Sequence, residues 1–220
     1  MIISFSNKSY KGKMNTCALC AEKYCDSGEL DKIPANCPCK DEEYVAKAKD
    51  AYKEPVDFKL ARCSAMLEKE GYCQKTRVEE TIDFAKMCGF KTLGLAFCVG
   101  FSREAAILIK ILKHHGFSVE STVCKNGSIP KEFLDLTEEY KLTPGAFEPM
   151  CNPIGQAILL NRAKTDFNIV LGLCIGHDSL FIKHAEAPVT VLAVKDRVLA
   201  HNPMAALYLS EGYYKEKLYK

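Results

Sequence analysis

Two rhythms of apolar and polar residues divide the chain. Residues 42–53 and 56–70, rich in Ala, Lys, Glu and Leu, read as helices. In "TRVEETIDFAKMCG", Thr76 is placed to cap and Glu79 follows three residues later. Ile82, Ala85 and Met87 then mark an apolar face that ends at Gly89. After this, short apolar runs alternate with helical ones. "KTLGLAFC" (91–98), "FSVESTVC" (117–124), "FNIVLGLC" (167–174) and "PVTVLAV" (188–194) predict strands. "SREAAILIKILKHHG" (102–116), "NPIGQAILLNRAK" (152–164), "HDSLFIKHA" (177–185) and "NPMAALYLSEG" (202–212) predict helices, with Asn152 as a cap and Pro153 in the first position. "VKDRVLAH" reads as a turn back into a hairpin edge. The alternation predicts an α/β fold: a parallel sheet of about four strands with helices on both faces. The glycines of "CVGFSREA" do not make G-x-G-x-x-G, and no G-x-x-x-x-G-K-[ST] occurs, so no nucleotide motif is present.

Residues 17–40 break the pattern. "CALCAEKYCDSGELDKIPANCPCK" is rich in Cys, Gly and Pro and has little periodicity, as expected of a loop region that needs an external staple. The predicted organisation is a disordered extension over 1–13, with Met14 a candidate start, a cysteine-rich metal-stapled segment over 14–42, and an α/β domain with a helical lead-in over 43–220. The composition supports a real core, at 48% hydrophobic residues. A net charge of +2 and the lack of a basic patch give no indication of nucleic-acid binding. No apolar run approaches the roughly 18 residues that cross a bilayer, and the first residues lack the core of a signal peptide. The expected setting is the reducing cytoplasm. There, 12 cysteines point to metal or thiol chemistry rather than to a disulfide framework.

The cysteines fall into two sets. Three predicted strands end at Cys98, Cys124 and Cys174. In a parallel sheet all carboxyl ends lie on one rim, which is where open α/β folds bind ligands. With 12 cysteines in 220 residues, chance places a Cys within one position of all three ends about 0.5% of the time, so small-residue packing alone is a poor account of them. Cys151 precedes a helix that returns to the sheet, which brings it to the same rim. Its place at a helix N-terminus would also suit a nucleophile. Four thiolates from four loops make an S₄ site, and softness and geometry admit an iron–sulfur cluster or Zn²⁺. Ligands so far apart in sequence are unlike local zinc knuckles, which favours a cluster, of the 4Fe-4S type, at this rim. Lys125, next to Cys124, is a cation that could stabilise thiolates or an anionic substrate, or simply a solvated lysine. His177, three residues after Cys174, is a candidate ligand or proton donor. Asp178 serves equally as a helix cap. His201 is a weaker candidate, and His114 and His115 suit a helix C-terminus.

The other set is Cys17, Cys20, Cys25, Cys37 and Cys39, spaced C-x₂-C-x₄-C-x₁₁-C-x-C. The C-x₂-C knuckle lets two sulfurs grip one metal, and Cys37 with Cys39 can close a tetrahedral site. So short a segment cannot build its own core and needs a metal to order it. Zinc and a second iron–sulfur cluster both remain open here. If the two close pairs bind, Cys25 is the spare. Cys63, Cys73 and Cys88 fall in or beside helices and read as core or incidental.

"CALCAEKYC…CPC", "TRVEETIDFAKMCGFKTLGLAFCVGFSREA", "VCKNG", "MCNPIGQAILLN" and "TDFNIVLGLCIGHDSLFIKHAEAPVTVLAVKDRVLAHNPMAALY" resemble a family of small cysteine-rich proteins, mostly from anaerobic bacteria and archaea. These are usually labelled metal-binding proteins or domains of unknown function. The resemblance covers about residues 14 to 215. It implies metal binding and an anaerobic setting but no particular reaction. It supports Cys17, Cys20, Cys25, Cys37 and Cys39 as one set, and Cys98, Cys124, Cys151 and Cys174, with His177, as the other. The expected function is therefore that of a redox or sulfur-handling metalloprotein, with an electron-transfer partner or a small-molecule substrate. The alternative is a non-enzymatic zinc-binding scaffold or metal handler. Oligomeric state is not legible.

Overall fold

The computed structural model describes residues 17–220; the expected extension over 1–13 and the start at Met14 lie outside the described residues. The chain divides into a unit ending at Arg62 and a unit from Cys63 to Lys220, a division that falls inside a helix.

The second unit is the α/β domain the alternation predicts. Its strands are β1 (Thr92–Phe97), β2 (Ser118–Val123), β3 (Phe167–Leu173) and β4 (Val189–Val194), all parallel, in the order β2-β1-β3-β4. The inner strands are the most apolar. β3 is buried at all seven positions, and Leu93, Gly94, Leu95 and Ala96 of β1 are buried. β2, at the edge, is exposed at three of its six positions. From the central β1 the chain moves first to one side, then crosses back to β3 on the other. The carboxyl edge between β1 and β3 is thus the switch point at which open sheets hold ligands.

Helices flank the sheet as their patterns require. In the first unit, α1 (Glu42–Ala51) begins at Asp41, whose carboxylate accepts from the Tyr44 N–H at 3.0 Å. Next, α2 (Pro55–Gly71) carries the division between units. The capping box predicted at Thr76 and Glu79 is formed at the start of α3 (Arg77–Met87). In α4 (Ser102–His114), Ala105, Leu108 and Leu112 face the core. α5 (Pro153–Arg162) buries Gln156, Ala157 and Leu160. Right-handed crossovers leading in opposite directions place α4 and α5 on opposite faces. α6 (His177–His184) buries Phe181. Cys88 joins the buried residues, and Cys73 is exposed in a left-handed turn.

Two expectations fail beyond β4. "VKDRVLAH" forms a tight turn rather than a hairpin edge, because Asp196 accepts the Val198 and Leu199 N–H groups at 3.0 and 2.9 Å and so takes up donors that a strand would need. The last predicted helix shrinks to α7 (Met204–Tyr208). Among the described residues, no helix is long and apolar enough to cross a membrane.

In the first unit, residues 17–40 contain only short helical turns, the longest regular one spanning Tyr24–Ser27. Ile33 is the one buried residue of this described stretch.

Candidate functional site

The rim cysteines are set by the ladder itself. Each lies one residue beyond its strand. The Cys98 N–H donates to the Leu171 carbonyl at 3.1 Å, and the Cys124 N–H to the Phe97 carbonyl at 2.9 Å. These bonds continue the parallel pairing past its last regular rung, so Cys98 and Cys124 stand side by side. Cys174 ends β3 in the same way, and Lys195 ends β4, its N–H donating to the Leu173 carbonyl at 3.0 Å. From β2 to β4 the rim therefore reads Cys124, Cys98, Cys174, Lys195.

Cys151 arrives by a different route. A long arm, residues 125–151, leaves β2 and returns to it. It is pinned by a bridge between Pro130 and Pro149 and by the Lys131–Glu148 ion pair at 2.6 Å. At its end the Asn152 N–H donates to the Cys124 carbonyl at 2.7 Å, while the Asn126 and Asn152 side chains bond each other at 3.1 Å. The Asn152 carboxamide oxygen caps α5 by accepting from the Gly155 N–H at 2.8 Å. The sequence reading of Asn152 and Pro153 holds, and it is this cap that fixes Cys151 beside Cys124. Beneath them the buried Gln156 amide donates to the Thr122 and Phe97 carbonyls at 2.7 and 3.2 Å, tying β1 to β2 just below the sulfurs.

The Cys124 thiol interacts with both Cys98 and Cys151, and Cys151 in turn with the His177 imidazole. Cys124 is the middle member and only 2% exposed. It keeps its proton, held well above the ordinary thiol range by the neighbouring Cys151 and Cys98 and by burial. Cys98 is lowered to about 5, first by the Cys124 thiol it accepts from, then by the Gly100 N–H and the Lys195 cation. Cys151 is lowered to about 4 by Cys124 and His177, with help from the Lys125 charge. His177 is raised in turn by Cys151. The turn Val99–Phe101 contributes backbone dipoles: the Val99 N–H donates to Cys124 Sγ at 3.3 Å. The site gathers three cysteines among cations and backbone amides that favour the thiolate form of Cys98 and Cys151.

Cys174 stands apart within the same rim. Its sulfur accepts from Arg197 Nη2 at 3.3 Å, and its carbonyl accepts the His177 and Asp178 N–H groups at 3.0 and 3.2 Å, anchoring the start of α6. Asp178 is not the cap. Gly176 holds that position, and Asp178 accepts only from the adjacent Ser179 N–H. Lys125 donates to the Pro149 carbonyl at 2.5 Å, so it is tied down rather than freely solvated. His201 is structural. It packs tilted against Phe101 with ring centroids 4.5 Å apart and accepts from the Asp196 N–H at 3.1 Å.

Sequence reasoning missed Lys195 and Arg197, because "VKDRVLAH" reads as a strand edge. The signal that could have found them is the register rule that located the cysteines, applied to the end of the fourth strand. It missed Phe101 and Gly172 as well. Gly172 has φ +68, and a Cβ there would lie 2.1 Å from the Phe101 ring, so a glycine bulge in β3 makes room for the ring that supports Lys195 and His201.

In the first unit, the thiol of Cys39 is raised by its bond to Cys37, by partial burial and by the charges of Cys37, Cys25 and Cys17. Cys39 thus feels the charges of Cys37, Cys25 and Cys17. Lys23 ties the Cys17 and Cys20 carbonyls together. Among the described residues, no group of three or more His, Cys, Asp or Glu side chains stands as it is in a metal-holding arrangement.

Residues 37–192 match the family model described as "Protein of unknown function (DUF1847)". That span contains all four rim cysteines, together with Cys37 and Cys39. The chain is also 45% identical over 202 residues to "Uncharacterized protein MJ0455" of the archaeon Methanocaldococcus jannaschii, covering 92% of this chain and 97% of the relative.

Proposed function

We propose that this chain, which belongs to the DUF1847 family of unknown function, binds metal through its cysteines. An iron–sulfur cluster, of the 4Fe-4S type, would be held at the rim by Cys98, Cys124, Cys151 and Cys174. The role would be redox or sulfur handling, served by an electron-transfer partner or a small substrate. The observation that carries this reading is the meeting of three thiols from three separate segments at the switch point of the sheet. Core packing has no use for ionisable sulfurs driven toward thiolate, and thiolates are what metals bind. The surrounding Lys125, His177, Lys195 and Arg197 would offset the negative charge of a thiolate-ligated cluster.

A bound cluster would supply reversible one-electron chemistry or a Lewis-acidic iron. The protein's own groups would do the rest. His177 would hold or deliver a proton beside Cys151, and Lys125 would keep that region positive. The segment from Cys17 to Cys39 would hold a second metal, zinc or iron–sulfur, with Cys17, Cys25, Cys37 and Cys39 the favoured donors. A reducing cytoplasm suits a chain whose described cysteines are all free.

Purification without oxygen, followed by a visible spectrum and assays of iron, zinc and sulfide, tests the reading. A brown protein carrying iron and sulfide is expected. A colourless protein with zinc alone would replace the cluster with the scaffold reading, and a protein holding no metal would sink both.

A further inference from the structure

The turn after β4 is built with more order than a surface connection needs. The carboxylate of Asp196 accepts the Val198 and Leu199 N–H groups, the Asp196 N–H donates to His201 Nδ1, and the His201 N–H donates to the Asp196 carbonyl at 2.9 Å. His201 then packs tilted against Phe101, which is itself seated against Gly172. The flanking residues Lys195 and Arg197 are both sent toward the thiols. Lys195 Nζ lies 4.0 Å from the Phe101 ring centroid, beside Gly100, where a Cβ would be 3.4 Å from it. Arg197 reaches Cys174 Sγ.

Neither cation has a carboxylate partner among the described residues, since Asp196 is taken up by its own turn. Lys195 faces the Phe101 ring and the Cys98 sulfur, and Arg197 the Cys174 sulfur, which leaves both cations without a charged oxygen as partner. The guanidinium of Arg197, exposed and using one N–H on Cys174, keeps a fork of donors for a planar or tetrahedral oxyanion.

We propose that Lys195 and Arg197 form the anion-binding subsite of the rim, receiving the oxyanion group of a small substrate so that its other end faces the cysteines. This deepens the reading of the rim as a metal and sulfur site and rests on it for the chemistry that follows binding. The oxyanion can belong to a carboxylate or to a sulfur oxyanion; the cations read the charged oxygens that both share.

Equilibrium dialysis of the anaerobically purified full-length protein against labelled thiosulfate, and separately against labelled acetate, tests the subsite. At least one of the two should bind. Lys195→Gln and Arg197→Gln should each weaken that binding by about tenfold. Arg197→Lys, which keeps the charge and loses the fork, should fall between. Stronger retention of thiosulfate would assign the substrate to the sulfur anions, and stronger retention of acetate to the carboxylates. If neither anion binds, or the double glutamine variant binds as the parent does, the subsite does not exist. Metal content of the same samples separates this result from the cluster reading. Anion binding lost on Arg197→Gln in a protein that carries no metal leaves the subsite standing and removes the cluster. Should the cation variants lose metal as well, Cys98→Ser, which removes a proposed ligand and keeps both cations, decides: retained anion binding supports the subsite, and its loss together with metal overturns it.

Discussion

Cys98 and Cys124 occupy neighbouring rungs of a parallel ladder, whereas Cys17 to Cys39 lie in a stretch whose longest regular helix is a single turn. At the rim, sulfur positions follow from strand ends, the Asn126–Asn152 clamp and a core that includes Leu93, Leu95, Ile169 and Val170 with no exposed surface. That core is formed by apolar burial and does not require a ligand. In the N-terminal stretch Ile33 is the only buried residue described, so nothing comparable holds its cysteines together. The same residue type thus sits in a preorganised site in one region and in a region that a ligand must order in the other. A metal at the rim would load onto a finished scaffold; a metal between Cys17 and Cys39 would contribute folding energy outright.

The largest effect that follows is on the N-terminal stretch. Metal-chelator treatment of the reduced protein should open residues 17–40 to protease by orders of magnitude, since a structural metal can contribute about 10 kcal/mol or more. The unit from Cys63 to Lys220 should keep its strand content under the same treatment. Limited proteolysis with mass mapping distinguishes the two. Equal resistance before and after chelation would mean that the first region, too, is ordered without a ligand.

Gly172→Ala should be the most damaging single change at the rim. It combines a left-handed backbone with a Cβ driven into the buried Phe101 ring. A cost of about 3 kcal/mol is expected, seen as a fall in melting temperature of roughly 10 °C. A melting temperature within two or so degrees of the parent would show that the bulge is not what seats Phe101 and the turn behind it. Gentler changes sharpen the comparison. Cys98→Ala and Cys174→Ala should lower metal content by one and the same increment, and the double variant should lower it no further, because the two share one site. Cys37→Ala should remove a separate increment. If Cys174→Ala leaves the metal content untouched, Cys174 is held by Arg197 and is no ligand.

Much of the rim was legible because parallel-sheet logic converts sequence into position. Once strands are read from apolar runs, their carboxyl ends must share an edge, and Cys98, Cys124 and Cys174 follow. Asn152 and Pro153 gave away the helix that carries Cys151. What was illegible depended on side-chain hydrogen bonds with no periodic signature. Asp196 turns "VKDRVLAH" away from a strand by taking up its amides, and that turn is what aims Lys195 and Arg197. The relative placement of Cys17, Cys20, Cys25, Cys37 and Cys39 was equally hidden, since a segment without strands or long helices carries no register from which to infer it. The division of the chain at Arg62 was hidden because a continuous helical pattern runs through it.

The smallest effect concerns the arm that delivers Cys151, and it tests how independent of charge the rim scaffold is. The arm is laced by Glu148 to Lys131 and by Glu132 and Glu138 to Lys141, whose side chain is almost wholly covered. Glu148 is held below the usual carboxylate range first by Lys131, Glu132 first by Lys141, and Glu138 first by the Gly145 N–H and then by Lys141. A carboxylate depressed in the folded state stabilises above its unfolded pKa and ceases to do so as pH falls through the folded value. The contribution is therefore complete at neutral pH and is lost progressively below about pH 4. The Leu142 and Gly145 amides, which donate to Glu148 and Glu138, should lose protection there before any amide of β1 or β3 does. Hydrogen exchange corrected for intrinsic rates measures it. Loss of protection in the arm and in β3 at the same pH would mean that the arm and the sheet open as one unit, and that the rim depends on its ion pairs more than the ladder geometry implies.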